Sequence, residues 1–255
     1  MALSVAADNL TAANPAVALA LKNLEPQPLL DLARRCEQAG AGLLDLNPGY
    51  LSPRFEDRIT FLVEAVQEAT KLRLILDSPS ARVLARGLKA CRQPPILNAC
   101  TLEEEKLRDI MPLAASHGLD LVLLLLDANS FPAVTLEGKV TLALELRQQA
   151  LDAGIDSERL IFDPVLPNLS WPDAWRQTGE VVKTVRLLAS GAVFQEEART
   201  MVGLSNLRSR LRQRYPVQVE ETALALLAGA GLRLVLADVL QTELMETVNL
   251  IKQII

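Results

Sequence analysis

One phrase recurs along this chain and limits what it can fold into. A helix-like stretch is followed by a glycine, a short aliphatic run, and then an acidic or amide residue. It reads QAGAGLLDLN ending at Asp45–Asn47, SHGLDLVLLLLD ending at Asp127, DAGIDSERLIFD ending at Asp163 and AGAGLRLVLAD ending at Asp238. LRLILD (Asp77), PPILN (Asn98) and TMVGLSN (Asn206) lack the nearby glycine and end the same way. Glycine past a helix supplies a left-handed cap, and four to seven aliphatics in a row suit a strand buried on both faces. The strand ends recur at roughly 32-residue intervals, enough for one strand, one helix and two loops. A first strand near Leu3–Ala7, with polar Asp8 and Asn9 after it, brings the count to eight. Eight strand–helix units in 255 residues predict a single-domain α/β chain, a (β/α)8 TIM barrel over residues 1–255.

Helix starts fall in this register. Ser52–Pro53 and Ser78–Pro79 read as an N-cap followed by proline at the first helical position, and Thr101 to Glu104 as a capping box. A doubly wound open sheet is the competing architecture, but no Gly-rich phosphate loop follows the first strand. Composition agrees with a helix-covered parallel sheet: half the residues are hydrophobic but only 4% aromatic, so Leu, Ala, Val and Ile must fill the core. That apolar content, with a net charge of only -5, excludes disorder. The acidic balance argues against nucleic-acid binding, and no apolar run approaches the length of a membrane span. The N-terminus lacks the pattern of a signal peptide, and three cysteines (Cys36, Cys91, Cys100) show no paired spacing. Cytoplasmic residence is the expectation, with neither a disulfide framework nor a bound metal.

In a barrel of this kind chemistry belongs at the carboxyl ends of the strands. Those ends carry Asp45, Asn47, Asp77, Asn98, Asp127, Asp163, Ser205, Asn206 and Asp238. Each one alone reads as a turn or cap residue; seven strands ending this way at one mouth read as a site. No His, Lys or Cys is evident beside them, which argues against Schiff-base and thiol chemistry. Such carboxylates could hold magnesium, or accept hydrogen bonds from a donor-rich heterocycle such as a pterin ring. The single histidine, His117, sits beside Gly118 at a helix end and reads as a C-terminal cap. Arg208, Arg210, Arg212 and Arg214 read as a solvated helix start, with binding of an acidic ligand tail as the alternative. Trp171 and Trp175 read as a cover for the core, with ligand packing as the alternative.

The wording of the strand ends resembles a known family. LLDLNPG (43–49), LILDSP (74–79), ILNACTLEEEK (96–106), FDPVLP (162–167) and VGLSN (202–206), in that order, are similar to the pterin-binding methyltransferases. Within that family they look most like the methyltetrahydrofolate:corrinoid/iron–sulfur protein methyltransferases, barrels related to dihydropteroate synthase. The resemblance implies that Asp77, Asn98 and Asp163 hold the pterin edge. Gly203 and Ser205 would shape the seventh loop, and Asn206 would be the catalytic residue, facing the N5 nitrogen that bears the methyl group. Asp45 and Asn47, with Asp127, would form a supporting shell. The implied activity moves the methyl of methyltetrahydrofolate to cobalt(I) of a corrinoid (cobalamin type) carried by a partner protein. The implied assembly is a homodimer.

The chain departs from the family pattern at Ala-Asp-Asn-Leu-Thr (7–11), where a Gly-Glu-Arg-Ile-Asn phrase is usual, at Leu126–Asp127 and at Ser209. Dihydropteroate synthase fits less well, because its Ser-Arg-Lys phrase at the seventh strand is Leu-Ser-Asn-Leu-Arg (204–208) here. Two other readings stay open: a carboxylate–magnesium lyase or aldolase using Asp45, Asp77 and Asp163, and a non-catalytic pterin-binding subunit.

Overall fold

A computed structural model describes residues 3–255, so the first two residues of the expected domain lie outside the described residues. Eight strands close into an all-parallel barrel in chain order: β1 Ser4–Thr11, β2 Leu43–Asn47, β3 Arg73–Asp77, β4 Ile96–Cys100, β5 Asp120–Leu124, β6 Leu160–Asp163, β7 Arg199–Gly203 and β8 Leu234–Ala237. The helices that follow them are α1 Pro15–Asn23 and α2 Gln27–Gln38, α3 Arg58–Ala69, α4 Ala81–Ala90, α5 Glu104–His117, α6 Leu136–Asp152, α7 Ala174–Ala189, α8 Gln218–Gly229 and α9 Thr242–Ile254. Among the described residues no helix is long and apolar enough to cross a membrane.

The barrel expectation holds, and its local details shift. β1 runs on to Thr11, and its pairing with β2 slips register between Ala7 and Leu10, so Asp8 and Asn9 lie inside the strand rather than after it. β5 stops at Leu124, because Leu126 turns away to bridge Pro132 in a loop. Ser52 and Pro53 open a short 3-10 turn, not α3. The cap of α4 is Ser80, whose side chain accepts from the Val83 N–H, while Ser78 spends its hydroxyl on the Ser80 N–H. Thr101 bonds Glu103 instead of capping α5, which begins at Glu104. His117 does close α5: its Nδ1 lies 3.1 Å from the Leu113 carbonyl, and Gly118 takes the left-handed conformation at φ 58°.

Strand alternation sorts the barrel interior into three levels. Ala6, Ile75, Ile96, Val122, Ile161 and Met201 form a buried apolar cluster halfway up. Residues two positions earlier on β3, β5 and β7 are Arg73, Asp120 and Arg199, with Arg159 just ahead of β6. Asp120 is ion-paired to Arg73 at 2.8 Å, to Arg199 at 3.2 Å and to Arg159 at 3.8 Å, which plugs the floor. Residues two positions later are Asp8, Asp77, Asn98, Leu124, Asp163 and Gly203, which open at the mouth. The other strand face carries Leu44, Leu46, Leu76, Leu97, Leu121 and Leu123, all fully buried under the helices. Full burial of each such side chain contributes about 1.5–3 kcal/mol. α4 approaches β3 so closely that a Cβ on Gly87 would sit 2.8 Å from Ile59 and 3.1 Å from Leu76.

The floor generates a stability prediction. Burial alone would raise the Asp120 pKa, but hydrogen bonds and charge from Arg199 and Arg73 more than offset that and hold it below the usual carboxylate value. Asp120→Ala should therefore destabilise the fold by about 2–3 kcal/mol in urea titrations at pH 7. That is less than a wholly buried pair loses, because the three arginine side chains keep 36–39% exposure. The wild-type contribution is present above the unfolded carboxylate pKa near 4 and fades as pH falls through the lower folded value. An unchanged unfolding midpoint would show the floor to be passive.

Candidate functional site

The mouth of the barrel holds a cavity of about 400 Å³. Asp8, Asp45, Asp77, Asn98 and Asp163 reach it from five different strands, and Gly203, Ser205 and Asn206 line it from the seventh. Each carboxylate is held differently. Asn47 Nδ2 donates to Asp77 Oδ2 at 2.8 Å while its Oδ1 accepts the Gly49 N–H, fixing the amide's orientation. Ser205 Oγ donates to Asp8 Oδ2 at 2.5 Å, tying the seventh loop to β1. Asp163 Oδ1 accepts the Val165 N–H at 2.8 Å. Asp45 is 3% exposed, and its Oδ1 has no partner within the protein.

Placing four carboxylates together out of water disfavours their charged forms. Burial raises Asp8 and Asp77 to about 6 and Asp163 to about 7. Asp45 is driven well above its ordinary value, first by burial and then by the neighbouring charges of Asp77 and Asp8. Burial thus brings the titration of Asp8, Asp77 and Asp163 close to neutral pH, and their ionised forms are hydrogen-bond acceptors. That is a chemistry suited to a neutral ring offering N–H groups.

Asn206 ends a 3-10 turn over 204–206, with its side chain exposed at the lip. No described residue hydrogen-bonds its side-chain amide, whereas its carbonyl accepts from Asn168 Nδ2 at 2.9 Å. The same Asn168 amide donates to the Ser209 carbonyl, so the loop after β6 pins the loop after β7. Gly203 has an ordinary φ of -84°; what it supplies is room. A Cβ there would lie 3.1 Å from the Asn206 amide nitrogen.

Not every strand end reaches the mouth. Asp127 lies beyond β5, where its Oδ1 accepts the N–H groups of Asn129 and Phe131, so it closes a loop instead of lining the cavity. Asp238 accepts from Asn9, Arg212 and Gln241 and latches the end of β8 to β1. The arginine row is not a helix start. Arg208 is 3% exposed and donates to Glu220, Gln241 and the Tyr215 carbonyl, and Arg212 pairs with Asp238. Trp171 and Trp175, at 40% and 60% exposure, do not cover the core; Trp175 packs edge-on against Tyr215.

Two charged residues enter the site that the sequence did not assign to it. Asp8 is legible in hindsight, because counting by twos from Ala6 turns it inward. Lys106 lines the cavity beside Asp77, held by Glu103 at 2.8 Å, which overturns the expectation of a mouth without lysine. Only its place at the end of ILNACTLEEEK hinted at this.

Comparison with known proteins places this geometry. The model of a family described as pterin binding enzyme matches residues 14–235. A methylcorrinoid:tetrahydrofolate methyltransferase of Eubacterium limosum is 28% identical over 166 residues, covering 64% of this chain and 60% of that protein. A methionine synthase of Mycobacterium tuberculosis is 26% identical over 189 residues, covering 71% of this chain and 16% of that protein. The aligned part thus spans less than two thirds of either relative. Among solved structures, the Yersinia pestis dihydropteroate synthase with a pterine-sulfa conjugate superposes with a TM-score of 0.71 at 18% identity, covering 99% of this chain and 94% of that one. The Xanthomonas albilineans enzyme with 4-aminobenzoic acid gives 0.72 at 19%, covering 99% and 92%. At those identities the likeness establishes the barrel fold alone.

The orphaned Asp45 oxygen yields a test of the site's cost. Its folded pKa is raised, so ionisation is disfavoured in the fold and the group lowers stability as pH climbs above about 4. Asp45→Asn should stabilise the protein at pH 8 by about 1–2 kcal/mol, and the gain should shrink toward pH 4. Urea midpoints at the two pH values measure this; a loss at pH 8 would show that the neighbours depend on the Asp45 charge.

Proposed function

The chain belongs to the pterin-binding enzyme family, and on that premise we propose that it moves a methyl group between N5 of tetrahydrofolate and the cobalt of a corrinoid carried by another protein. In the direction inferred from sequence, methyltetrahydrofolate is the donor and cobalt(I) the acceptor. The Eubacterium limosum relative is named for the opposite direction. Microscopic reversibility lets one set of residues serve both.

The observation that carries the reading is the pairing of an acceptor-rich mouth with one uncommitted donor at its lip. Asp77, Asn98 and Asp163 offer carbonyl and carboxylate oxygens to the amino and N–H groups along a pterin edge. Asn206, its amide unclaimed and held above Gly203, is then the residue facing N5. A tertiary amine is a poor leaving group unless the charge building on nitrogen is neutralised. When the C–N5 bond breaks, N5 keeps the electron pair, an N–H from Asn206 stabilises it, and a proton from water or the acidic mouth completes the step. Cobalt(I) brings its own electron pair to the methyl carbon, so the chain need supply no nucleophile.

A protein-borne acceptor needs an open, adhesive rim. Tyr50, Phe131 and Trp171 stand 87%, 68% and 40% exposed on the loops after β2, β5 and β6, and Trp175 stands 60% exposed in the first turn of α7, all on the mouth side. The proposed form is a cytoplasmic homodimer.

Calorimetry with methyltetrahydrofolate, followed by methyl transfer to free cob(I)alamin, tests the proposal; no detectable binding would overturn it. Tight magnesium binding in equilibrium dialysis would favour the lyase reading in its place. Asp163→Asn and Asp77→Asn should each weaken folate binding by about 1–3 kcal/mol. Asn206→Ala should lower kcat by about 10²–10³ while leaving the methyltetrahydrofolate Kd and the melting temperature nearly unchanged. Normal turnover by that variant would reduce Asn206 to a strand terminator.

A further inference from the structure

A lysine lies buried behind the site, where neither its helix nor its surroundings favour it. Lys139 sits in the first turn of α6, where the helix dipole opposes positive charge, and is 2% exposed. Its Nζ donates to the Pro164 carbonyl at 2.6 Å, a neutral acceptor that cannot by itself compensate a desolvated ammonium. We propose that Lys139 is a positioning residue for Asp163: from behind β6 it holds the Asp163–Pro164–Val165 turn and supplies the positive charge that keeps the Asp163 carboxylate available to a ligand's N–H groups.

The turn is held from both sides. Val165 has a φ of 59°, a conformation that β-branched residues rarely adopt. On the mouth side Asp163 accepts the Val165 N–H; on the helix side Lys139 takes the Pro164 carbonyl. Releasing either bond would let the peptide rotate and re-aim the carboxylate.

The charges around the turn are few. Lys139 faces it from α6, Glu180 from α7, and Asp77 from β3 across the mouth. The adjoining ends of β5 and β7 bring Leu124 and Gly203, which do not titrate. Glu180 is committed to Lys183 and to the Leu136 N–H. Burial lowers Lys139 to about 8, with Asp163 and then Glu180 opposing the drop; burial raises Asp163 to about 7, with the Val165 N–H and then Lys139 opposing the rise. Between those values both groups are charged, so folate should bind more tightly as pH rises through about 7.

This inference rests on the reading of Asp163 as a pterin acceptor, and the experiment separates the two. The Asp163 titration midpoint is read in ligand-free protein by carboxyl carbon NMR, and tetrahydrofolate affinity is measured across pH, for the wild type, Lys139→Met, Lys139→Gln, Lys139→Arg and Asp163→Asn. Loss of the charge in Lys139→Met and Lys139→Gln should raise the midpoint by about one pH unit or more, and Lys139→Arg should restore it. Affinity at pH 7 should fall about tenfold in the two neutral variants and recover above pH 8.5. Lys139→Gln keeps a donor to Pro164 and carries the comparison if Lys139→Met does not fold. An unmoved midpoint in the neutral variants overturns the proposal. A moved midpoint with unchanged folate affinity in Asp163→Asn supports the coupling and overturns instead the assignment of Asp163 to the ligand.

Discussion

Four aspartates share a mouth from which much of the water is excluded, and the cost of ionising them there organises what surrounds them. Coulomb repulsion and desolvation act in the same direction on such a group, so each carboxylate needs a donor or a proton. Asn47 serves Asp77, Ser205 serves Asp8, and the Val165 N–H with Lys139 behind it serves Asp163. Asp45 is left with an orphaned oxygen. A structure selected only for stability would not bury that oxygen; a site that must meet donors from a ligand would.

The floor of the same barrel shows that residue type alone does not set this outcome. Asp120 is buried too, at 7% exposure, yet its pKa is held down, because hydrogen bonds and charge from Arg199 and Arg73 outweigh its desolvation. Only three residues of strand separate Asp120 at the floor of β5 from Leu124 at its mouth. One end of the barrel is neutralised by pairing and closed; the other is left short of cations and open. That asymmetry makes one end chemical and the other structural.

Arginine is also what builds the seventh loop. Arg208 reaches inward to Glu220, Gln241 and a backbone carbonyl, and Arg212 reaches Asp238, which in turn holds Asn9 of β1. Asn168 pins the same loop from the other side. These bonds fix the loop's backbone while leaving the Asn206 amide uncommitted, which is the condition for a preorganised donor.

The recurring glycine, aliphatic run and polar stop were enough to count eight strand–helix units, because a parallel strand buried on both faces has few other sequences and a crossover helix has a minimum length. The polar strand ends also brought Asp77, Asn98, Asp163, Ser205 and Asn206 forward, the family resemblance added Gly203, and the barrel sets these around one cavity. Tertiary structure decided the rest. Asp127 and Asp238 end the same kind of phrase as Asp163, but β5 stops earlier than its aliphatic run and β8 is latched to β1, so both carboxylates serve loops. Asp8 enters the mouth because β1 extends past its first apolar residues, and Lys106 because the first turn of α5 lies beside the cavity. Lys139 left no trace in sequence, since nothing in the first turn of an exposed-looking helix says that its neighbour is the back of a strand. Alternation along one strand fixes which way a side chain points; where neighbouring strands end, and what packs behind them, fixes what it meets.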